Sequence, residues 1–299
     1  MSRSPRILVT GATGTHGGVG GHLVKSLIAG GIPVRALVRT LDERAERLAQ
    51  AGAEVVKGDF LKLATLRPAL EGVEQVFFCY PLAGDLLQAT ANLCVAAGEL
   101  KVRCIVNVSI LMAAEDHPSP VCRDHWLSER IFDWADVAAV HLRGGFFYEN
   151  LIRFAAEGVR REERIKLPFG DGQARLAWVG GADVAAVAEK ILAQPGGHAG
   201  KTYEITAGET LTIHDIARGF TQVLGRPIAY EQTPLDAWLV QIEPILAGNT
   251  QLRRHVSILS RAISGGRVVG RTTDIVERMT YRVPQNIEQF AAAHRSMFE

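Results

Sequence analysis

The sequence lacks several features that mark particular classes of protein. Its 299 residues carry a net charge of only +1, which gives no electrostatic reason to expect a nucleic-acid partner. No apolar run approaches membrane-spanning length, and residues 1–5 are too short and polar for a signal peptide. We therefore expect a cytoplasmic protein that binds neither nucleic acid nor membrane.

Cysteine is also scarce. The four cysteines are scattered and show no C-x-x-C spacing, which argues against a metal site or a disulfide framework. Most of them sit in apolar strand or helix contexts, so we expect reduced thiols within the core. The positions are Cys79, Cys94, Cys104 and Cys122.

The sequence does contain a regular alternation of short apolar runs and amphipathic helices. This alternation predicts an α/β protein with a doubly wound parallel sheet. The hydrophobic fraction of 47% is ample for a core. Neither an internal repeat nor a low-complexity linker divides the chain.

The most informative stretch is residues 6–39, which predict a strand, a glycine-rich turn, a helix over 22–29 and a second strand. Glycines let the backbone approach a ligand closely, and the following helix offers its free N–H groups to a phosphate. In this context the glycines indicate a dinucleotide-binding βαβ unit. The candidate contacts in the turn are Gly11, Thr13, Gly14, Thr15, His16, Gly17 and Gly20.

The second strand ends in Arg39, where a site that prefers NAD usually has an acidic residue. A guanidinium can instead pair with the 2′-phosphate of NADP(H). We therefore predict NADP(H) as the cofactor. The alternative is an ordinary exposed arginine at a strand end.

Ends of parallel strands are where ligands bind in such sheets. Asp59 and Phe60 follow the third predicted strand, and Tyr80 and Pro81 end the fourth, so these four are candidate walls of the cofactor site. Ser109 ends the fifth strand, where its hydroxyl could bond the cofactor or a substrate oxygen. For each of them, a structural role in a turn or in the core is the alternative reading.

Four motifs lie along the first half of the chain: T-G-A-T-G at 10–14, A-L-V-R at 36–39, G-D at 58–59 and L-R-x-G-x-F-x-E-N at 142–150. Through these motifs the chain resembles the NmrA-like branch of the atypical short-chain dehydrogenases/reductases. The resemblance implies a Rossmann-like domain, which we place at residues 1–150. It also implies a smaller C-terminal α/β substrate lobe, mainly residues 151–299 and interleaved with the first domain. Family members include quinone and isoflavone-type reductases and non-catalytic redox sensors that bind partner proteins.

The glycine turn departs from the family pattern. Counting back from the helix matches the last glycine of the motif to Gly20, about three residues later than the usual spacing after Gly14. Either the phosphate loop bulges or the helix begins earlier, at Gly17.

A second departure concerns the chemistry. The Tyr-x-x-x-Lys pair of related dehydrogenases would fall on Val121 and His125, so the tyrosine is absent. His125 could donate a proton to the substrate, or it could replace the hydrogen bond of the lysine to the ribose. Alternatively, it is a helix-surface residue paired with Glu129 or Asp124. We take His125 and Ser109 as the candidate catalytic residues.

The segment after the sixth strand gives the predicted cleft an apolar wall. Its candidate substrate contacts are Phe146, Phe147, Tyr148 and Asn150, although only one or two of the aromatic rings should face the ligand. These residues suit an apolar or planar substrate. We expect a reductase, monomeric or homodimeric, that transfers hydride from NADPH to a small quinone, enone or carbonyl compound. The alternative is a non-catalytic NADP(H) sensor that binds a partner protein.

Beyond Asn150 the sequence pattern is weaker. It predicts a helix over 183–193 capped by Asp183, a helix over 211–224 capped by Thr212 and a helix over 234–246. Residues 248–267 give no clear element. Their apolar positions could line a substrate pocket or pack the lobe.

Overall fold

The computed structural model describes residues 7–14, 18–135, 137–267 and 270–299. The strands in these ranges are β1 (Ile7–Val9), β2 (Val34–Val38), β3 (Glu54–Lys57), β4 (Gln75–Phe78), β5 (Cys104–Ile110), β6 (Ala139–Gly144), β7 (Phe146–Phe147), β8 (Arg164–Leu167), β9 (Leu176–Val179), β10 (Thr202–Ile205), β11 (Thr210–Leu211) and β12 (Ala229–Gln232). The helices are α1 (Val19–Ala29), α2 (Glu43–Gln50), α3 (Leu63–Leu70), α4 (Leu86–Glu99), α5 (Pro120–Trp134), α6 (Glu149–Glu162), α7 (Gly181–Ala193), α8 (Ile213–Leu224), α9 (Leu235–Gln241), α10 (Glu243–Leu246), α11 (Thr250–Ser264), α12 (Ile275–Thr280) and α13 (Ile287–Ala293).

A parallel seven-stranded sheet forms the centre of the molecule, in the order β10-β6-β5-β4-β1-β2-β3. The inner strands are mostly buried on both faces, as the apolar runs predict, whereas the edge strands β3 and β10 are largely exposed or half-buried. In β1, for example, Ile7 and Val9 face a core shared with α1 and α7, whereas Leu8 faces the core under α3 and α4. The predicted doubly wound α/β fold is confirmed.

A smaller lobe covers the carboxyl ends of these strands. It contains a three-stranded sheet, β11-β9-β7, and the parallel pair β12-β8. Its core gathers side chains from α6, α8, α9, α11 and α13 around Tyr148, Trp178 and Phe290. Apolar residues on one face of each helix make this packing possible.

After the first elements of the smaller lobe, the chain returns to the central sheet. Strand β10 pairs with β6 from Thr202↔His141 to Ile205↔Gly144 and forms one edge of the central sheet. Helix α7 packs against α1, and its Val184, Val187 and Ile191 complete the core on that side of the sheet. Parts of residues 151–299 therefore belong to the central sheet and to the helical layer on one of its faces.

Several predicted elements need correction. Helix α7 begins at Gly181, so Asp183 lies inside its first turn and accepts a hydrogen bond from the Gln285 N–H at 2.9 Å. The predicted helix over 234–246 is two helices that meet at Ile242, and residues 250–264 form helix α11. Thr212 does cap α8, through a capping box with Asp215.

The four cysteines are free thiols, as predicted. Within the described ranges, no helix is both long enough and apolar enough to cross a membrane.

Candidate active site

A cleft lies at the carboxyl ends of β4, β5 and β6, between the central sheet and the smaller lobe. The space between its walls, including the part open to solvent, is about 800 Å³. It is lined by Val19, Cys79, Tyr80, Leu82, Val108, Ser109, Ile110, Leu111, Met112, His125, Gly144, Gly145, Phe146, Phe147, Asn150, His255 and Leu259.

The glycine turn packs against β1 and β4 with no room for side chains at two positions. Gly11 has φ +70°, and a Cβ there would lie 3.0 Å from the Cys79 carbonyl oxygen. A Cβ on Gly20 would lie 2.5 Å from the Thr10 carbonyl oxygen and 2.7 Å from the Gly11 carbonyl carbon. Gly20 thus holds α1 against the turn, the role of the last glycine in a dinucleotide-binding motif.

Helix α1 begins at Val19, earlier than the predicted residue 22, so Gly20 lies in its first turn. Gly18 precedes it with φ +55°, and no described side chain caps the helix. No side chain of the described residues therefore occupies the first N–H groups, which are the groups that bind a phosphate at a helix N-terminus. Of the other predicted contacts, Gly14 donates its N–H to the Gly11 oxygen at 3.1 Å, and the Thr13 oxygen accepts from Arg44 at 3.2 Å. Thr15, His16 and Gly17 lie outside the described residues.

Arg39 follows β2 and is exposed, and it forms no ion pair with any described residue. Its guanidinium is therefore available to an anion beyond the end of the strand. The first N–H groups of α1 and this arginine fit a dinucleotide that carries a 2′-phosphate.

The four predicted wall residues lie near one another. The rings of Phe60 and Tyr80 meet edge to face at 5.9 Å, and Tyr80 stacks on Phe78. Asp59 accepts the Leu61 N–H at 3.0 Å, and Pro81 is exposed at the end of the strand. Burial, with the Asp85 carboxylate nearby, raises the pKa of Tyr80 well above its usual value, so its phenol keeps its proton. Of the four, Tyr80 lines the cleft.

His125 lines the cleft from α5 and is only 4% exposed. Both of its ring nitrogens are buried and have no hydrogen-bond partner among the described residues. The pairing with Glu129 or Asp124 that we considered is therefore not formed. Such an arrangement costs roughly 1–3 kcal/mol unless a ligand or water meets the nitrogens, so it points to a binding role.

Burial lowers the pKa of His125 to about 4. The imidazole is thus neutral near pH 7, with one N–H donor and one acceptor nitrogen. A neutral ring can still polarise a carbonyl by donating a hydrogen bond to it.

Ser109 is fully buried, and its hydroxyl donates to Glu129 Oε1 at 2.6 Å. Glu129 also forms a bidentate pair with Arg143, at 2.9 Å from Nε and 2.6 Å from Nη2. These hydrogen bonds connect β5, α5 and β6 beneath the cleft. Because its proton is engaged, Ser109 can offer the cleft only an acceptor oxygen.

Phe146, Phe147 and Asn150 line the cleft, but Tyr148 does not. Tyr148 is fully buried and stacks on Trp178 at 5.7 Å and on Phe290 at 5.4 Å. The extended chain of β7 ends before Tyr148, where α6 begins, and this turn directs the ring into the lobe core. We therefore reassign Tyr148 from substrate contact to core residue.

Several lining residues were not predicted from the sequence, Leu82 and His255 among them, whereas Leu259 is one of the apolar positions of 248–267 for which a pocket role or a packing role was left open. Leu82 lies in the loop after β4, and His255 and Leu259 lie on α11. His255 Nδ1 lies 2.8 Å from Ser119 Oγ, which links α11 to the start of α5. The i, i+3, i+7 spacing of Leu252, His255 and Leu259 after the capping residue Asn249 was the signal that could have found them.

The comparisons with known proteins agree with this arrangement. Residues 3–291 match the model of the NmrA-like family. The chain is 30% identical to an NAD(P)H azoreductase of Xenophilus azovorans, over 98% of this chain and 99% of that one.

Two solved structures share the fold. The NADPH complex of the quinone oxidoreductase QOR2 from Escherichia coli matches with a TM-score of 0.77 at 23% identity, over 97% of this chain and 99% of that one. The NADP complex of NmrA, a negative transcriptional regulator, matches with a TM-score of 0.77 at 18% identity, over 98% and 96%. The chain belongs to the NmrA-like family.

Proposed function

We propose that the protein is an NADPH-dependent reductase that transfers hydride to an uncharged, planar quinone, enone or carbonyl compound. The observation that carries the proposal is the buried, unpaired imidazole of His125, which faces the cleft next to a dinucleotide-binding turn. The azoreductase and quinone oxidoreductase names of the relatives support the same class of reaction.

The residues that would hold NADPH come from the first half of the chain. The turn at Gly11 and Gly14 and the N-terminus of α1 would bind the pyrophosphate, and Arg39 the 2′-phosphate. Asp59 and Phe60 would border the adenine. When bound, the reduced nicotinamide supplies a hydride, the two-electron reductant of the reaction.

His125 would act on the acceptor oxygen of the substrate. Its neutral N–H donates a hydrogen bond there and stabilises the negative charge that grows on the oxygen during reduction. Because imidazole would become an imidazolate if it gave up this proton, the proton that completes the product comes from water. A quinone suits this site because its reduced anion needs no strong acid beside it.

The test is NADPH consumption by the purified protein with a quinone, an enone and an aldehyde. In the variant His125→Leu, which lacks the donor, we expect kcat/KM to fall about 10- to 100-fold, the effect of one hydrogen bond to a developing charge. The variant His125→Gln keeps an N–H and should retain more activity. NADPH affinity, measured by titration, should be unchanged in both.

The pH dependence gives an independent check. Because the pKa of His125 is about 4, kcat/KM of the wild type should show no inflection from His125 between pH 6 and pH 8. If His125→Gln removed an inflection near pH 6.5, the neutral-imidazole mechanism would be wrong.

A sensor is the second candidate, and the absent dehydrogenase tyrosine favours it. Tight NADPH binding with no turnover on the whole panel would support the sensor and reject the reductase.

A further inference from the structure

A second cavity, here called the inner chamber, lies beside the cleft within the smaller lobe, beneath α9 and α11. The space between its walls, including the part open to solvent, is about 650 Å³. Five residues line both the cleft and the chamber: Leu82, Phe146, Asn150, His255 and Leu259. The chamber therefore lies directly beside the site of the proposed reaction. Its remaining walls are Leu151, Phe154, Leu167, Phe169, Trp178, Trp238, Leu252, Val256, Ser260 and Ile263.

The walls of the inner chamber are almost entirely apolar. Twelve of its fifteen lining residues are hydrophobic, and none carries a carboxylate, ammonium or guanidinium group. Of the polar ones, His255 is joined to Ser119. An ionised group would lose its hydration there with no opposite charge to replace it, so the chamber excludes charged ligands.

One wall residue has a buried hydrogen-bond donor without a partner among the described residues. This donor is the Nε1–H of Trp238, a side chain that is 3% exposed. The neighbouring Trp178, in contrast, donates its Nε1–H to the Leu211 oxygen at 3.2 Å. An unpaired buried donor is uncommon in a finished core. An apolar ligand has no acceptor for this N–H, so a binding role for the chamber rests on its apolar walls and on its place beside the cleft.

We propose that the inner chamber binds an apolar, uncharged arm of the substrate while the planar head lies in the cleft beside His125. The inference rests on the proposed function, because it assigns the head to the reacting end of the cleft. It makes the preferred substrate an elongated two-part molecule, larger than the small compound expected from the sequence.

The first test compares 1,4-benzoquinone with a 1,4-benzoquinone that carries an n-hexyl arm. Burial of the arm should raise kcat/KM of the wild type by at least about tenfold. The variant Val256→Phe fills the chamber from α11 and should abolish this advantage while kcat/KM for benzoquinone changes by less than about twofold. Val240→Phe, at a position on α9 that is 72% exposed and outside the chamber, is the matched control and should keep the advantage.

The second test reads binding without catalysis. A hexylbenzene with a terminal bromine should quench tryptophan fluorescence saturably, because Trp178 and Trp238 line the chamber. Quenching should persist in Val240→Phe and in Val256→Ala, which leaves the chamber open, and be lost in Val256→Phe.

The results distinguish a failure of the proposed reductase function from a failure of the chamber proposal. Saturable quenching with no quinone reduction would reject the reductase and keep the chamber as a binding site. Turnover with equal kcat/KM for both quinones would reject the chamber proposal. Equal losses for both quinones in Val256→Phe would also reject it, because they would show a general structural effect.

Discussion

At the scale of single residues, burial determines what the polar groups of the cleft can do. His125 and Ser109 were identified from their types and from their places near strand and helix ends. The hydrogen bonding of Ser109 and the protonation state of His125 could not be predicted, because both depend on contacts between segments that are distant in the sequence. The Ser109 hydroxyl is engaged by Glu129, 20 residues further along the chain, and His125 is neutral because α5 packs closely over β5.

Gly20 allows a direct test of the turn. In Gly20→Ala, the new Cβ would lie within 3 Å of backbone atoms of Thr10, Gly11 and Ala12, which cannot move aside as a flexible side chain could. We expect a loss of about 1–3 kcal/mol in the free energy of unfolding, the usual cost of overpacking. NADPH affinity should fall as well, because the turn shifts away from α1. Urea unfolding and an NADPH titration would measure the two effects.

Gly98 is the matched control. It lies in α4, and a Cβ there would meet nothing within 4 Å. Gly98→Ala should raise stability by roughly 0.5–1 kcal/mol and leave NADPH affinity unchanged. Equal NADPH affinity in Gly20→Ala and the wild type would remove Gly20 from the cofactor site.

At the scale of elements, periodicity located the helices that pack on the central sheet, although α1 and α7 begin at residues 19 and 181, before their predicted starts at 22 and 183. The sequence predicts helices over 63–70 and 86–99, because apolar residues repeat there at helical spacing between clear turn signals. The structure has α3 and α4 with these bounds. Helix α11 was missed although its apolar residues share one face. Polar residues such as His255 and Ser260 are interspersed on that face, because it lines the cleft and the inner chamber instead of a uniform core.

The contact between α6 and α7 gives a pH-dependent contribution to stability. Glu149 is 7% exposed, and its Oε1 accepts the Gly181 N–H at 2.9 Å while Oε2 has no partner among the described residues. Burial, with a smaller effect from the Asp183 carboxylate, raises the pKa of Glu149 to about 7. The folded state thus keeps a proton that the unfolded state releases above about pH 4.5. Stability from this group is fully present below pH 4.5 and is lost as the pH rises to about 7.

We expect this group to lower the free energy of unfolding by on the order of 3 kcal/mol between pH 4.5 and pH 7. Glu149→Gln keeps the acceptor for Gly181 but does not titrate, so its stability should fall less over this range. At pH 8 the variant should be the more stable protein. Urea unfolding at several pH values would measure this, with the exposed Glu157→Gln as the control. Parallel curves for Glu149→Gln and the wild type would contradict the expectation.

At the scale of the whole molecule, the order of segments along the chain differs from their order in space. A boundary near residue 150 follows from the weaker pattern beyond it. Strand pairing of β10 with β6 joins segments about 60 residues apart, and no local pattern reveals such a partner.

This arrangement predicts that residues 1–150 do not fold alone. The fragment lacks β10 at the edge of the sheet, and it lacks α7, which covers α1. We expect it to show no cooperative thermal transition by circular dichroism and no NADPH binding. Coexpression with residues 151–299 should restore both. A cooperative transition in the isolated fragment would show that residues 1–150 form an independent domain.

The inner chamber takes nearly all of its walls from residues after 145, whereas the dinucleotide-binding turn and Arg39 come from the first 40 residues. Mutations on α9 or α11 can therefore alter which substrates the protein reduces without affecting the binding of NADPH. Within one family, such a division lets new substrate preferences arise by drift in one stretch of the gene while another stretch stays under constant selection.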